Sequence, residues 1–269
     1  MSGATVERIP LHKFAEFPIR LPPIEQQREI ASILSAYDDL IENNTRRIAV
    51  LEKMAQRIYE EWFVHLRAPG CKIIHCIDTP LGPVPEGWEA IKLGEIALVQ
   101  WGDTRTIKSS YMASGFDAYS AAGMDGSLDH FDFDRSGIVV SAIGANCGQT
   151  WLAYGKWSCI KNTIKMWSTN SDICDEYLYL TTYGIKFWPR RGAAQPFISQ
   201  SDARSILVLK PPNVTSRAFA NIVRPVFGLR HNLLKHNRNL RSQRDLLLPK
   251  LISGEISVSR ALAYLEAAE

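Results

Sequence analysis

Apolar side chains recur every three to four residues from residue 24 to about residue 66. Ile30, Leu34, Tyr37, Ile41, Asn44, Ile48, Leu51, Ala55, Ile58 and Trp62 fall on one 3.5-residue seam, with Asn44 its polar member. The spacing predicts a helix about 60 Å long at 1.5 Å per residue, too long to be covered by a small domain and so in need of a partner helix. A second pattern, residues 215–248, supplies one: Ile222, Val226, Leu229, Leu233, His236, Leu240, Gln243 and Leu247. Pro225 lies inside it and predicts a kink or a late start, while Pro249 and Gly254 in "LLLPKLISGEISV" are expected to stop it.

Between the helices the period changes. Pro80, Pro83 and Pro85 mark a linker, after which short β-rich runs appear: "AIKLGEIALV", "GIVVSAIG", "QTWLAYG", "TIKMWS" and "SILVLK", separated by Gly or turn residues. One helix fits "CDEYLYLTTYGIKFW". The acidic run "GMDGSLDHFDFDR" departs from a calcium-loop spacing and is expected to be a solvated turn. The prediction is a mixed α+β domain of about 140 residues held between two long helices.

Shifting the chain by 189 positions brings Pro22-Pro23 onto Pro211-Pro212 without a gap. Ile30 then meets Phe219, Leu34 meets Val223, Leu40 meets Leu229, Leu51 meets Leu240 and Ile58 meets Leu247. Apolar positions kept in phase over both helices indicate a duplicated unit.

Charge sharpens the picture locally. The net charge of +3 hides a basic second helix, in which eight Arg or Lys between residues 214 and 252 face the single Asp245, and a slightly acidic first helix. That difference suits an antiparallel pair, although exposed ion pairs contribute only about 0–1 kcal/mol each. The middle is nearly neutral, so a polyanion would meet local patches there. Five cysteines without a C-x-x-C pair suit reduced thiols. His65, Cys71, His75 and Cys76 fit no usual zinc spacing, and no metal site is expected. No apolar run of membrane-spanning length and no signal-peptide pattern is present, which places the expectation in the cytoplasm, away from membranes.

Four segments together resemble the DNA specificity (S) subunit of type I restriction-modification systems: residues 19–64 with "LPPIEQQ", residues 85–97 "PEGWEAIKLGEIA", residues 192–212 "GAAQPFISQSDARSILVLKPP", and residues 236–256 ending "RDLLLPKLISGEI". The resemblance implies an α+β fold in which one mixed α/β target recognition domain is flanked by two long helices forming an antiparallel coiled coil. Its expected parts are residues 1–23 as the tail strand of a recognition domain, 24–67 as the first helix and spacer, 68–213 as the recognition domain, 214–252 as the second helix, and 253–269 as a C-terminal tail. The order departs from the family's domain, helix, domain, helix. It fits a half-length subunit or the downstream part of a truncated one, and in the half-length case two copies would rebuild a pseudo-twofold form by self-association.

The resemblance implies no catalysis by this chain. It implies the reading of one half of a split site in double-stranded DNA, and docking of methyltransferase (M) subunits and, through the complex, restriction (R) subunits. S-adenosylmethionine, and ATP with Mg, would bind those partners and not this chain. The residues themselves carry no N/D-P-P-Y/F signature, no P-loop, no dinucleotide motif and no nuclease carboxylate cluster.

Two segments have the composition for DNA contact, where Arg and Lys meet phosphates or guanine and Gln meets adenine. Residues 186–204 cluster Lys186, Arg190, Arg191, Gln195, Gln200 and Arg204 with Phe187, Trp188 and Phe197; residues 101–115 offer Arg105, Lys108 and Tyr111 in an expected loop. Against this stand a core role for the three aromatics, an exposed turn at Arg190 and Arg191, and a structural role for Gln195. The helix-pairing set is Ile30, Leu34, Tyr37, Ile41, Asn44, Ile48, Leu51 and Ile58 with Leu229, Leu233, Leu240 and Leu247. A coiled-coil scaffold or regulator without sequence-specific DNA binding is the alternative reading.

Overall fold

The computed structural model describes residues 10–18, 21–70, 75–103 and 106–261. It divides into two compact units, Met1–Ile48 with Asn232–Glu269, and Ala49–His231. Both unit boundaries fall inside the two long helices. The first, α1 (Ile24–Tyr59), continues into a wider π-type turn, Glu60–Val64, and closes at Leu66 in the left-handed conformation (φ 57°).

The unit formed by residues 49–231 is an α+β domain with the neighbouring stretches of both helices. Its elements follow α1 as β1 (Cys76–Thr79), β2 (Gly82–Pro85), β3 (Glu89–Lys92), α2 (Leu93–Ile96), β4 (Ala97–Trp101), β5 (Phe116–Ser120), β6 (Gly123–Leu128), β7 (Phe133–Asp134), β8 (Gly137–Ser141), β9 (Thr150–Ala153), β10 (Lys156–Cys159), β11 (Thr163–Ser168), α3 (Asp175–Thr181), α4 (Gln200–Ser205), β12 (Leu207–Lys210) and α5 (Asn213–Ser253). One antiparallel sheet has the order β4-β11-β8-β9, and a second, β6-β5-β10-β7, contains the parallel pair β5 and β10. β1 pairs with β2, and β12 with β3, as two-stranded ribbons.

Alternation explains the layering. In β8, Ile138 and Val140 face the large core with Ile164 and Met166 of β11, while Val139 joins Trp157, Cys159 and Tyr119 of the second sheet. A strand covered on both faces reads as a continuous apolar run, as residues 137–141 do. Over the first face lie α3, Trp88 and an aromatic group from both helices, in which Phe63 meets Tyr177 and Phe219 at ring-centroid distances of 4.8 and 4.7 Å. Burial at this junction joins both helices to the core of the unit.

α3 opens with two buried carboxylates. Asp175 accepts from the Ser168 amide at 2.7 Å and from the Ser136 hydroxyl, and Glu176 accepts from the Tyr154 hydroxyl at 2.6 Å. Desolvation raises the Asp175 carboxyl above its ordinary value, with the Ser136 and Ser168 hydrogen bonds opposing it.

In the other unit the helices run antiparallel. The Asn237 amide donates to the Ile41 carbonyl at 3.2 Å and to Thr45 Oγ1 at 3.1 Å, while Arg244 pairs with Asp38. Ile30, Ile33, Tyr37 and Ile41 pack with Leu240, Leu247, Leu251 and Ala261. Asn44 and Ile48 are buried as the seam requires, and so is Leu233. Within residues 49–231, Glu52 meets Arg230 in the expected acidic-to-basic sense, Leu51 is half-buried, and Ile58 packs against the main core.

Several expectations change. Leu229 is 42% exposed and Ile222 likewise, so neither pairs the helices; Phe219, Val223 and Phe227 are buried instead. That row turns toward the aromatic core and lies off the predicted 3.5-residue line. Asn237 and Arg244 take the places expected for His236 and Gln243, and Ile33 is more deeply buried than Leu34. α5 begins at Asn213 and passes both Pro225 and Pro249, ending at Gly254 with φ 77°. A proline removes one backbone donor, and the packing on either side outweighs that loss.

Residues 10–18 were expected as part of a tail strand and contain a 3-10 turn, Leu11–Glu16, with no buried residue. Residues 1–9, 19 and 20 of that expectation lie outside the described residues. The acidic run holds β6 and β7, where Asp125 and Asp132 accept side-chain hydrogen bonds.

Candidate nucleic-acid interface

Three chain segments meet beyond one end of the β4-β11-β8-β9 sheet. After β8, the backbone turns at Gly144 (φ 93°) and Gly148 (φ 94°), and Gly148 returns a hydrogen bond to Ser141 at 2.8 Å. Before β11, the tight turn Ile160–Thr163 places Lys161 and Asn162 in solvent, and the Asn162 carbonyl accepts from Ala142 at 3.2 Å. The third segment, residues 190–198, lies along the first: Gly144 donates to the Pro196 carbonyl at 2.9 Å and Ile198 to the Ala142 carbonyl at 2.9 Å.

The third segment is a closed finger. Arg191 and Phe197 exchange both backbone hydrogen bonds, at 2.9 and 2.8 Å, so residues 192–196 project as a short loop with Gln195 exposed. Gly192 has φ 80°, and a Cβ there would come within 2.7 Å of the Gln195 carbonyl, so this turn needs glycine. Trp188 is buried and anchors the base, its indole N–H donating to the Thr182 carbonyl at 3.1 Å. Arg190 and Lys186 are exposed, and Phe197 is 39% exposed. Arg191 is also exposed but binds Asp202 at 2.6 Å.

Not all predicted contacts belong to this surface. Gln200 Nε2 and Arg204 Nε both donate to the Val99 carbonyl, at 2.7 and 3.0 Å. β4 is an edge strand of its sheet, and these two side chains of α4 satisfy its outward carbonyl. Their role is thus architectural, where their place in the polar cluster of residues 186–204 had suggested DNA contact.

The 101–115 segment is likewise more tightly held than expected. Lys108 pairs with Asp125, which also accepts from Ser120, and the Tyr111 ring covers Gly126 so closely that a Cβ there would clash. Burial raises the Tyr111 hydroxyl well above its usual value. Its ring is a packing element of β6, leaving Lys108 as the exposed part. Arg105 lies outside the described residues.

Lys161 and Asn162 are the members missed by sequence reasoning. Their signal was a polar Lys-Asn pair between two β-rich runs, a turn pattern that becomes interesting only once the fold sets it beside the 190–198 finger. Lys161, Asn162, Arg190 and Gln195 offer the donor types that phosphates and base edges require. Among the described residues, no group of three or more His, Cys, Asp or Glu is arranged to hold a metal ion, and no helix is long and apolar enough to cross a membrane.

Comparisons with known proteins bear on the chain as a whole. Residues 1–53 match the family model described as the type I restriction modification DNA specificity domain. The chain is 24% identical over 281 residues to the type I restriction enzyme MjaIX specificity subunit of Methanocaldococcus jannaschii, covering 95% of this chain and 64% of that protein. It is 31% identical over 102 residues to the MjaVIII specificity subunit of the same organism, 37% of this chain and 23% of that one. The chain thus spans less than two thirds of the length of either relative. Its fold is similar to the S subunit of a type I restriction-modification system from M. genitalium, with a TM-score of 0.59 at 20% identity over 85% of this chain and 61% of that one. With one mixed α/β domain between two duplicated long helices, the chain is similar over most of its length to type I restriction-modification DNA specificity subunits, and its first 53 residues match their family model.

Proposed function

We propose that this chain is a noncatalytic DNA-reading subunit whose domain, residues 75–210, recognises one half of a bipartite duplex site. The observation that carries this reading is the placement of Lys161, Asn162, Arg190 and Gln195 on two hydrogen-bonded turns braced against a third, residues 142–148, at one end of a sheet. Turns fixed by paired backbone hydrogen bonds on a packed sheet hold donors at constant spacing, which direct readout of base edges demands. Lys108 and Lys186 add exposed charge for phosphates elsewhere on the domain.

We further infer that the helices dock methyltransferase subunits, and restriction subunits through the complex. Val214, Ile222 and Leu229 form an exposed apolar row on α5, at 81%, 42% and 42% exposure, within residues 49–231. Such a row on a helix otherwise rich in Arg fits a protein partner better than DNA. S-adenosylmethionine, and ATP with Mg, belong to those partners. Self-association would place two identical half-sites in inverted order, and pairing with a different chain would give unequal ones.

Long-read methylation mapping tests the reading. DNA from cells expressing this chain with its methyltransferase subunit is compared with DNA from cells lacking either. A split motif that needs both proteins is the expected result; the absence of any motif despite a stable complex would favour the scaffold alternative.

A further inference from the structure

The three aromatics of residues 186–198 part company in the structure. Trp188 is 3% exposed and turns its indole N–H inward to the Thr182 carbonyl. Phe187 packs against the main core, its ring centroid 5.1 Å from that of Trp188. Phe197 is 39% exposed, although Ile198 beside it is completely buried. Trp101, at the end of β4 and paired with the core residue Ile164, is a second open aromatic at this end of the sheet, at 37%.

Backbone pairing holds Phe197 in the open. On one side it exchanges both hydrogen bonds with Arg191; on the other it faces Ile143 in a bridge closed by Gly144 donating to Pro196 and Ile198 donating to Ala142. Its ring lies against Gly192, where an added Cβ would stand 3.6 Å from Cδ1. A residue paired on both edges cannot turn its side chain to the other face without breaking those pairs. The exposure therefore belongs to the fold, and a fixed open ring forgoes burial that a ligand can supply.

Its surroundings name the ligand. Arg190 and Gln195 lie on the same finger, and Ala142, which accepts from Ile198, itself donates to the Asn162 carbonyl. Phe197 thus stands among the polar residues assigned to DNA and has no hydrogen bond to offer there. In the major groove the apolar group within reach is the 5-methyl of thymine, which stands beside O4 on the exposed edge of the base. A side chain that wedges between base pairs has to enter the stack, and here residues 192–196 project as the tip while Phe197 closes the base of the finger. That setback suits contact with a methyl group and not insertion.

We propose that Phe197 is a specificity-determining residue that selects thymine at one position of the half-site through its 5-methyl group. This rests on reading residues 75–210 as a DNA-recognition domain, and it names one base that the domain selects and the side chain that selects it. The polar residues around Phe197 hold the duplex in place and read hydrogen-bonding edges. Phe197 adds the discrimination between a methylated and an unmethylated pyrimidine edge that no donor can make.

The test alters the DNA first, so that it does not depend on how a variant folds. The half-site motif is obtained by duplex selection with the full chain and its methyltransferase subunits, and each thymine in it is replaced in turn by deoxyuridine, which removes the methyl group and keeps the base pair. Competition binding then compares the wild type with F197A, F197L and W101A. The expected result is one position at which deoxyuridine weakens wild-type binding about fourfold, the worth of one buried methyl group. F197A should bind thymine and deoxyuridine there equally, F197L should keep part of the preference, and W101A all of it. With that pair changed to C·G, 5-methylcytosine should bind the wild type about fourfold better than cytosine and F197A no better. The proposal is overturned if the motif contains no thymine, if deoxyuridine is neutral at every thymine, if F197A keeps the preference, or if W101A abolishes it. A motif whose thymines tolerate deoxyuridine refutes the assignment of Phe197 alone, whereas no motif at all refutes the DNA-reading role and the assignment with it.

Discussion

Phe63 and Ile252 occupy equivalent places in a duplicated helix, yet Phe63 is 3% exposed within an aromatic core and Ile252 is 44% exposed. The same helical pattern therefore does two different jobs. Where a domain covers it, the apolar row is a stabilising core element; where no described residue covers it, the row contributes little to the fold and is available to a partner. Periodicity establishes that a face is apolar, but the cover decides its energetic weight.

The comparison breaks most easily at those two residues. F63A should cost about 3–5 kcal/mol, as truncating a large aromatic in a packed core does, whereas I252A should change stability by about 0.5 kcal/mol, in the range of surface substitutions. Denaturant unfolding of both variants checks this, and equal losses would erase the distinction between the two ends. Next in size, N237A should lose about 1 kcal/mol, because it removes the donor shared by the Ile41 carbonyl and Thr45. The loss should appear in the melting of the helix pair and not in the near-ultraviolet signal of the aromatic core.

A similar contrast separates two kinds of polar residue near the finger. R204A and Q200A should each cost about 1 kcal/mol of stability through the Val99 carbonyl they leave less satisfied. K161A and R190A should leave stability within about 0.5 kcal/mol and each reduce the slope of log affinity against log salt by about 1. Thermal melts beside salt titrations of duplex binding distinguish the pairs; a swapped pattern would move the interface onto α4.

The smallest effect concerns Asp175. Burial raises its carboxyl above the ordinary value, so the folded protein binds that proton more readily than the unfolded chain. The stability it subtracts at neutral pH is regained as pH falls through the raised folded value toward about 3.9, the unfolded one. Relative to D175N, the wild-type protein should therefore gain stability on acidification over that window. Melting both proteins across pH 7 to 4 reads the difference, and a relative loss would contradict the sign.

The long helices were legible because their seam persists over many turns, and the strands β4, β8, β9, β11 and β12 because their runs are rich in Val, Ile and aromatic residues. β6 and β7 were hidden by Asp125, Asp129, Asp132 and Asp134, whose charges suggested a solvated turn although their neighbours complete a sheet edge. Pro225 and Pro249 suggested interruptions that tertiary packing overrides. In α5 the polar seam members Asn237 and Arg244 are adjacent in sequence to the equally plausible His236 and Gln243, and only the facing groups on α1 decide between them. At the candidate interface, Arg190, Gln195 and Lys186 were legible as exposed polar residues beside turn formers. Gln200 and Arg204 were not separable from them, because their partner is a backbone carbonyl about a hundred residues away. Lys161 and Asn162 needed the sheet to bring their turn beside the finger.

Selection from a random duplex library tests the central claim most directly, with the full chain and its methyltransferase subunits as bait and a K161A/R190A/Q195A variant beside it. The account predicts one enriched half-site motif for the wild-type assembly, and its loss or relaxation for the variant at unchanged melting temperature. An identical motif from the variant would move base reading away from these two turns, and no enrichment from a folded wild-type assembly would contradict DNA reading by this chain.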